Sequence, residues 1–136
     1  MADVAQTRQE VQLKSTASTE EVVAQNICVQ GDFLYKNPAG NYDLAVCTDP
    51  LKDDVVAMAL TPAAAALDKI VIAKPGCKLD VGAILTAAEE YVLSDNDGKI
   101  KARSALVSTE YYTRLGSGDG GGWLDFDPFT SGVQEP

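Results

Sequence analysis

Two short segments of this chain share a pattern that constrains its fold more than any other feature of the sequence. Residues 33–40 and 91–98 each open with three apolar residues, the first of them aromatic, and each ends in a glycine after a polar turn. Tyr, Val and Phe favour a half-buried pleated surface, whereas Asn, Asp and Gly favour turns. Each segment therefore predicts a β-hairpin. We assign Gly40 and Gly98 as structural turn residues and expect Gly98 to adopt a positive φ.

The two segments lie 58 positions apart, as counted from Phe33 to Tyr91. This spacing indicates a fold built around two related hairpins. Two copies are too few for a solenoid, and unrelated hairpins can also share such a pattern, so both interpretations stay open.

Short strands at regular spacing account for most of the remaining sequence. Residues 61–67 predict one or two helical turns or a loop, and the glycine-rich residues 116–122 predict a flexible loop. The succession predicts an all-β fold, a small antiparallel β-barrel or a β-tulip-like sandwich with at most one short helix. The apolar or alternating runs that carry this prediction are residues 21–30, 42–47, 54–60, 69–73, 77–85, 111–115 and 123–127.

Length and charge limit the domain organisation and the class of partner. At 136 residues, we expect one β domain over residues 21–129, an extended N-terminal arm over 1–20 and an extended C-terminal tail over 130–136. The 20 acidic and 11 basic residues disfavour direct binding to nucleic acid, which requires clustered Lys and Arg. No apolar run reaches the roughly 18 residues of a membrane span, and the N-terminus lacks a signal-peptide core, so we expect synthesis in a cytoplasm.

The residue types that usually carry catalysis or bind metals are sparse. The chain has no His, and Cys28, Cys47 and Cys77 have no CxxC spacing, so we expect three small buried residues. Residues 95–98 resemble the start of a calcium loop, but Ile100 occupies the required glycine position. We therefore expect no enzyme, no catalytic residue, no cofactor and no metal site.

Residues 68–76 support an alternative from another class. An Asp-Lys pair opens this run, and residues 81–85 follow it in a pattern that resembles a lipoyl- or biotin-carrier barrel. In such carriers an Asp-Lys turn presents the modified lysine, which would be Lys69. The spacer between the two turns is short for that family, and the Ala-rich residues 62–67 replace a strand. A small-ligand-binding β-barrel is a further alternative.

A longer resemblance covers residues 44 to about 133. It rests on the order of seven pieces, at residues 55–61, 69–76, 80–85, 90–94, 111–116, 123–126 and 131–133. In this order they resemble the small capsid decoration, or cement, proteins of tailed-phage virions. The resemblance implies a β-barrel or β-tulip domain that forms homotrimers on the capsid surface, with the major capsid protein as partner and no catalytic residues. A head-fibre or tail component of the virion is an alternative.

Five residues are the candidate contacts with neighbouring subunits or with the capsid. Trp123 and Phe126 lie an odd number of positions apart, so in a regular strand their side chains face opposite sides. We expect one of the two to join the core and the other to face a neighbour. The full set of candidates is Val11, Leu13, Trp123, Phe126 and Phe129.

Overall fold

The computed structural model describes Asp3 and residues 18–81, 85–120 and 123–134, without the side chains of residues 80, 123 and 132–134. In this part the chain forms antiparallel strands and one short 3-10 turn, Arg103–Ala105, which confirms the all-β prediction. The strands are β1 (Thr19–Val23), β2 (Phe33–Lys36), β3 (Tyr42–Leu44), β4 (Ala57–Ala59), β5 (Lys69–Ala73), β6 (Cys77–Asp80), β7 (Glu90–Leu93), β8 (Ile100–Ala102), β9 (Tyr111–Gly118) and β10 (Trp123–Gln134).

Each half of the chain forms one five-stranded sheet. The first sheet has the order β1-β5-β4-β2-β3, and the second has the order β6-β10-β9-β7-β8. Raising each strand number of the first sheet by five gives the second, so the two sheets share one topology. Over the described residues the sheets do not close into a barrel, so the predicted sandwich is correct and the predicted barrel is wrong.

The spacing of 58 residues extends beyond the two hairpins. Strands β3 and β8 also begin 58 positions apart. Phe33 pairs with Met58 across β2 and β4, and the residues 58 positions later, Tyr91 and Gly116, pair across β7 and β9. The prediction of two related hairpins is therefore confirmed, and the relation extends to the whole five-stranded unit.

The inner faces of the two sheets form a shared core. Phe33 on β2 and Phe126 on β10 are fully buried and meet edge to face, with ring centroids 5.6 Å apart. Such a pair stabilises a fold by about 0.5–1.5 kcal/mol beyond the burial of its surface. Met58, Leu79 and Leu115 pack in the same core, so both sheets contribute to it. The opposite face of the first sheet carries a second buried cluster, which includes Leu34, Ala57 and Ile72.

The Gly98 turn of the second sheet contacts the first sheet directly. Gly98 has φ +74°, as predicted, and its carbonyl accepts a hydrogen bond from Phe33 N at 2.9 Å. Its own N–H donates to Ala45 O at 2.8 Å. A Cβ on Gly98 would lie 3.0 Å from the carboxyl carbon of Asp32, which accepts from Lys99 Nζ at 2.7 Å. Glycine is required here both for its φ and for this close approach.

Several segment boundaries differ from the predicted ones. Residues 19–20 belong to β1 and residues 130–134 belong to β10, so both predicted terminal arms extended too far into the domain. Residues 116–118 continue β9, because their pairing with β10 outweighs the flexibility of glycine. Residues 61–67 form a loop, which was the alternative to helical turns.

Asp53 is a buried carboxyl group where the loop before β4 meets the second sheet. Its backbone carbonyl accepts hydrogen bonds from Thr113 Oγ1 at 2.9 Å and from Thr130 Oγ1 at 3.4 Å. The residue is 3% exposed, and its Oδ2 has no hydrogen-bond partner in the part of the chain that the structure describes. Burial raises the pKa of Asp53, and the neighbouring carboxylates of Asp54 and Asp49 raise it further. The ionised form of Asp53 therefore destabilises the fold.

We expect Asp53→Asn to raise the free energy of unfolding at pH 7 by about 1 kcal/mol, because it removes a buried charge and keeps the backbone hydrogen bonds. The pKa is higher in the folded state than in the unfolded state, so protonation favours folding. The advantage of the variant should therefore be largest above the raised pKa and should shrink as the pH falls through it. Urea unfolding at neutral and acidic pH measures this, with the exposed Asp97→Asn as control. A loss of stability at pH 7 would contradict the prediction.

Candidate interaction surface

The outer face of the second sheet presents a cluster of polar and aromatic side chains. Along β9, Thr113 and Leu115 are buried, so the alternation of a strand places Tyr112 and Arg114 on the outer face. Phe129 on β10 pairs with Arg114 across the ladder. Glu90 on β7 and Ser117 on β9 complete the set. We call these five residues the Phe129 surface.

The polar members of the Phe129 surface hold one another in place. The Tyr112 hydroxyl donates a hydrogen bond to Glu90 Oε1, and Arg114 Nε lies 3.7 Å from the same oxygen. Arg114 Nη2 donates to Ser117 Oγ at 3.3 Å. The Arg103 guanidinium lies 4.6 Å from the centre of the Tyr112 ring. Burial raises the pKa of Tyr112, and Glu90 raises it further, so the phenol remains a hydrogen-bond donor at neutral pH.

The arrangement suits contact with another protein. The five side chains line a shallow cavity of about 350 Å³, and Phe129 remains 59% exposed beside it. A large exposed ring next to fixed charged groups provides apolar contact area and directional hydrogen bonds together. Four of the five side chains are already held by hydrogen bonds and an ion pair, so little ordering would accompany binding.

The structure separates the five predicted contact residues. Phe129 is exposed, as a contact residue must be. Phe126 is 1% exposed and packs on Phe33, so it is a core residue, which corrects the expectation that it contacts a neighbour. Val11 and Leu13 lie outside the described residues, and of Trp123 only the backbone, at the start of β10, is described. Of the two residues, Phe126 is therefore the one in the core.

Glu90, Tyr112 and Arg114 belong to the surface but were not predicted from the sequence. The sequence predicts only a strand for residues 111–115 and assigns no separate role to Glu90. The alternation along β9 could have indicated that Tyr112 and Arg114 share a face. Nothing in the sequence indicated that β7 and β10 flank β9, so their joint surface could not be derived.

Asp3 from the N-terminal arm contacts the loop between β7 and β8. Asn96 Nδ2 donates to Asp3 Oδ2 at 2.6 Å, and the Ser94 hydroxyl donates to Asp3 Oδ1. Asp95 in the same loop lies 3.5 Å from Lys101 Nζ. Among the described residues, no three His, Cys, Asp or Glu side chains are grouped so as to hold a metal ion. The polar groups of this loop are instead bonded to the protein itself.

A buried ion pair joins β8 to the start of β9. Lys101 Nζ and Glu110 Oε1 are 2.6 Å apart, and their side chains are only 4% and 3% exposed. The same glutamate oxygen accepts from Val107 N at 2.9 Å. Burial alone would lower the pKa of Lys101, but the hydrogen bond and charge of Glu110, with Asp95, outweigh it and raise that pKa. Lys101 therefore stays charged at neutral pH.

The three cysteines are buried and unpaired, as predicted. Burial raises the pKa of Cys28 and of Cys77. It also raises the pKa of Cys47 to about 12, with a further contribution from the charge of Glu110. A thiol with a raised pKa is a poor nucleophile at neutral pH, because the thiolate is the reactive form.

Lys69, the lysine of the alternative carrier interpretation, does not lie on a turn. It is the first residue of β5 and pairs with Val23 of β1. Its side chain is 73% exposed and its Nζ lies 3.9 Å from Glu21 Oε1. The carrier resemblance requires an Asp-Lys turn that presents the lysine. Lys69 instead lies in a strand that pairs with β1, so no turn presents it.

Comparisons with known proteins add no relative. No protein-family model, no curated protein and no solved structure matches this chain. Within the described residues, no helix has the length and apolar character needed to cross a membrane. The geometry of the chain therefore carries the functional argument.

Proposed function

We propose that this protein is a structural component of a tailed-phage virion, a decoration protein that binds the outer surface of the assembled head and stabilises it. It acts by binding and performs no catalysis. Its direct partner is the major capsid protein, and it assembles as a homotrimer on the capsid surface. The proposal starts from the order of the seven sequence pieces that resemble decoration proteins.

The observation that carries the proposal is the Phe129 surface. A decoration protein needs a preformed outer face that has a lower free energy in contact with the capsid lattice than in contact with water. Phe129 is 59% exposed on a twelve-residue strand, and the groups around it are already paired with one another. Desolvating such paired groups costs less than desolvating isolated charges. The surface is therefore suited to covering a protein partner.

We expect Phe129→Ala to weaken binding to undecorated heads by at least about tenfold, because truncation of an exposed aromatic anchor commonly removes this much affinity. Co-sedimentation of purified protein with heads that lack it measures the change. Leu51→Ala is the matched control, because Leu51 is 84% exposed but lies on the loop between β3 and β4. Both variants should keep the wild-type melting curve. Equal affinity of Phe129→Ala and wild type would contradict a contact through this surface.

A second measurement separates decoration from attachment elsewhere on the virion. A protein that binds only the assembled lattice stabilises that lattice by mass action, so decorated heads should withstand heating better than bare heads. Heads that rupture at the same temperature with and without the protein would exclude the cement role. A head-fibre or tail component would label one vertex or the tail in electron micrographs, whereas a decoration protein would cover the head.

A further inference from the structure

A second exposed surface lies on two loops of the first sheet, the one between β1 and β2 and the one between β4 and β5. The Phe129 surface, by contrast, lies on the second sheet. Ile27, Val29 and Leu67 are large apolar residues that are 61%, 52% and 59% exposed. Pro62 and Ala64 are exposed beside them. We call these five residues the neutral patch.

Backbone pairing makes the neutral patch continuous. Cys28 and Ala63 form an antiparallel bridge, with N–H to carbonyl distances of 3.3 and 3.0 Å, and both side chains are buried. In an antiparallel pair the neighbouring residues point to the opposite face. Ile27 therefore lies across from Ala64, and Val29 lies across from Pro62, on the solvent side. At the far end of the same pair, Leu67 N donates to Ala24 O at 2.7 Å.

The neutral patch carries no charge in a strongly acidic protein. Residues 24–31 and 61–67, which form it, contain none of the 20 acidic and 11 basic residues of the chain. A solvated surface of a protein with formal charge −9 would be expected to include acidic side chains. Two uncharged segments that pair and expose aliphatic residues form a contiguous apolar face, which is typical of an interaction site.

The loop that presents the patch is fixed by hydrogen bonds and holds a strained residue. Asp68 Oδ2 accepts from the N–H groups of Ala64 and Ala65 at 3.1 and 3.0 Å. Leu67 has φ +69°, a left-handed conformation that costs a branched residue about 1–2 kcal/mol. The backbone hydrogen bonds from Leu67 N to Ala24 O and from Ala24 N to Asp68 O, at 2.7 and 2.9 Å, hold this conformation within the subunit. The Leu67 side chain is therefore fixed in an exposed position before any partner binds.

We infer that the neutral patch is where copies of this chain associate with one another, each patch packing on the patch of a neighbour around a symmetry axis. Two copies with charge −9 repel each other over acidic surfaces, and the patch is a place where they can approach without bringing like charges together. A basic partner would gain more from the acidic surface than from this face. In a trimer the three copies of the patch converge on the threefold axis, so each neutral and apolar face meets equally neutral and apolar faces. The inference deepens the homotrimer of the proposed function but does not depend on capsid binding.

Sedimentation velocity of the purified full chain, without capsids, tests the inference. Wild type should be an oligomer at micromolar concentrations, and Ile27→Asp should raise the dissociation constant by at least about tenfold, because it places a charge in the apolar contact. Leu51→Asp is the matched control, since it adds the same charge at a residue that is 84% exposed outside the patch. It should remain oligomeric.

A second variant distinguishes loss of contact from misfolding. Leu67→Gly relieves the positive φ and removes the side chain, so we expect a subunit at least as stable as wild type that associates more weakly. A monomeric wild type, or an Ile27→Asp variant that associates as wild type does, would overturn the inference. Loss of capsid binding in these variants with a monomeric wild type would also overturn it, and would assign the patch to the capsid. Loss of capsid binding in Phe129→Ala alone concerns the proposed function and leaves this inference intact.

Discussion

Replacing Glu110 by alanine should lower the free energy of unfolding by about 3 kcal/mol, because the buried Lys101 ammonium then keeps only the half-exposed Asp95 carboxylate, 3.5 Å away. Lys101 is 4% exposed and lies 2.6 Å from Glu110, so water cannot readily replace the lost carboxylate. Val107 N also loses its acceptor, which adds to the cost. Urea unfolding of the variant and the wild type at neutral pH measures the difference.

Two controls show whether the loss comes from the unpaired charge. The double variant Lys101→Met, Glu110→Met replaces both charges with apolar groups and should be much closer to wild type than the single variant, since apolar pairs often substitute well for buried ion pairs. Glu21→Ala removes a partner of an exposed ion pair with Lys69 and should change stability by less than about 1 kcal/mol. If the double variant is as unstable as Glu110→Ala, packing and not charge carries the effect.

Gly116→Ala should destabilise the protein by about 3 kcal/mol, because overpacking and backbone strain combine at this position. A Cβ at Gly116 would lie 1.8 Å from the carbonyl oxygen of Asp125 on β10, where no rotamer change can relieve the clash. Gly116 also has φ +150°. The β9–β10 ladder would have to open locally, and the shift of the urea midpoint reports the cost.

Gly40→Ala separates the clash from the strain of the positive φ. Gly40 has φ +88°, but a Cβ there would meet nothing within 4 Å. We therefore expect Gly40→Ala to cost only about 1 kcal/mol, the price of the left-handed conformation alone. Equal losses of stability in the two variants would mean that β9 and β10 separate easily at Gly116. That result would contradict the prediction that the clash with Asp125 O is costly.

The repeated architecture was partly accessible from sequence. Phe33 to Gly40 and Tyr91 to Gly98 showed the similarity of the two hairpins, because turn residues and aromatic strand residues are local signals. The rest of the duplication has no comparable signal. In the structure Met58 and Gly116 occupy equivalent positions opposite Phe33 and Tyr91, yet they differ greatly in size. Strand pairing can stay equivalent even where the paired side chains differ. The strand order therefore revealed the full duplication, which the similarity of residues did not.

Of the candidate contact residues whose side chains are described, Phe129 is exposed and Phe126 is buried. Sequence alternation predicts that Phe126 and Trp123 face opposite sides of a strand, but it does not tell which side faces the core. That choice depends on which sheet packs against β10. Phe33 of the first sheet covers Phe126, and this contact joins residues 93 positions apart in the sequence.

The sequence by itself determined the strand-forming segments, the turns at Gly40 and Gly98, the burial of the cysteines and the all-β class. These features follow from local backbone preferences and from the period of apolar residues, which act within a few positions. Only the tertiary structure decided that Lys101 and Glu110 pair in the interior, that Asp53 Oδ2 is buried without a partner and that the two neutral segments form one patch. Those outcomes depend on contacts between distant strands, which no local pattern specifies.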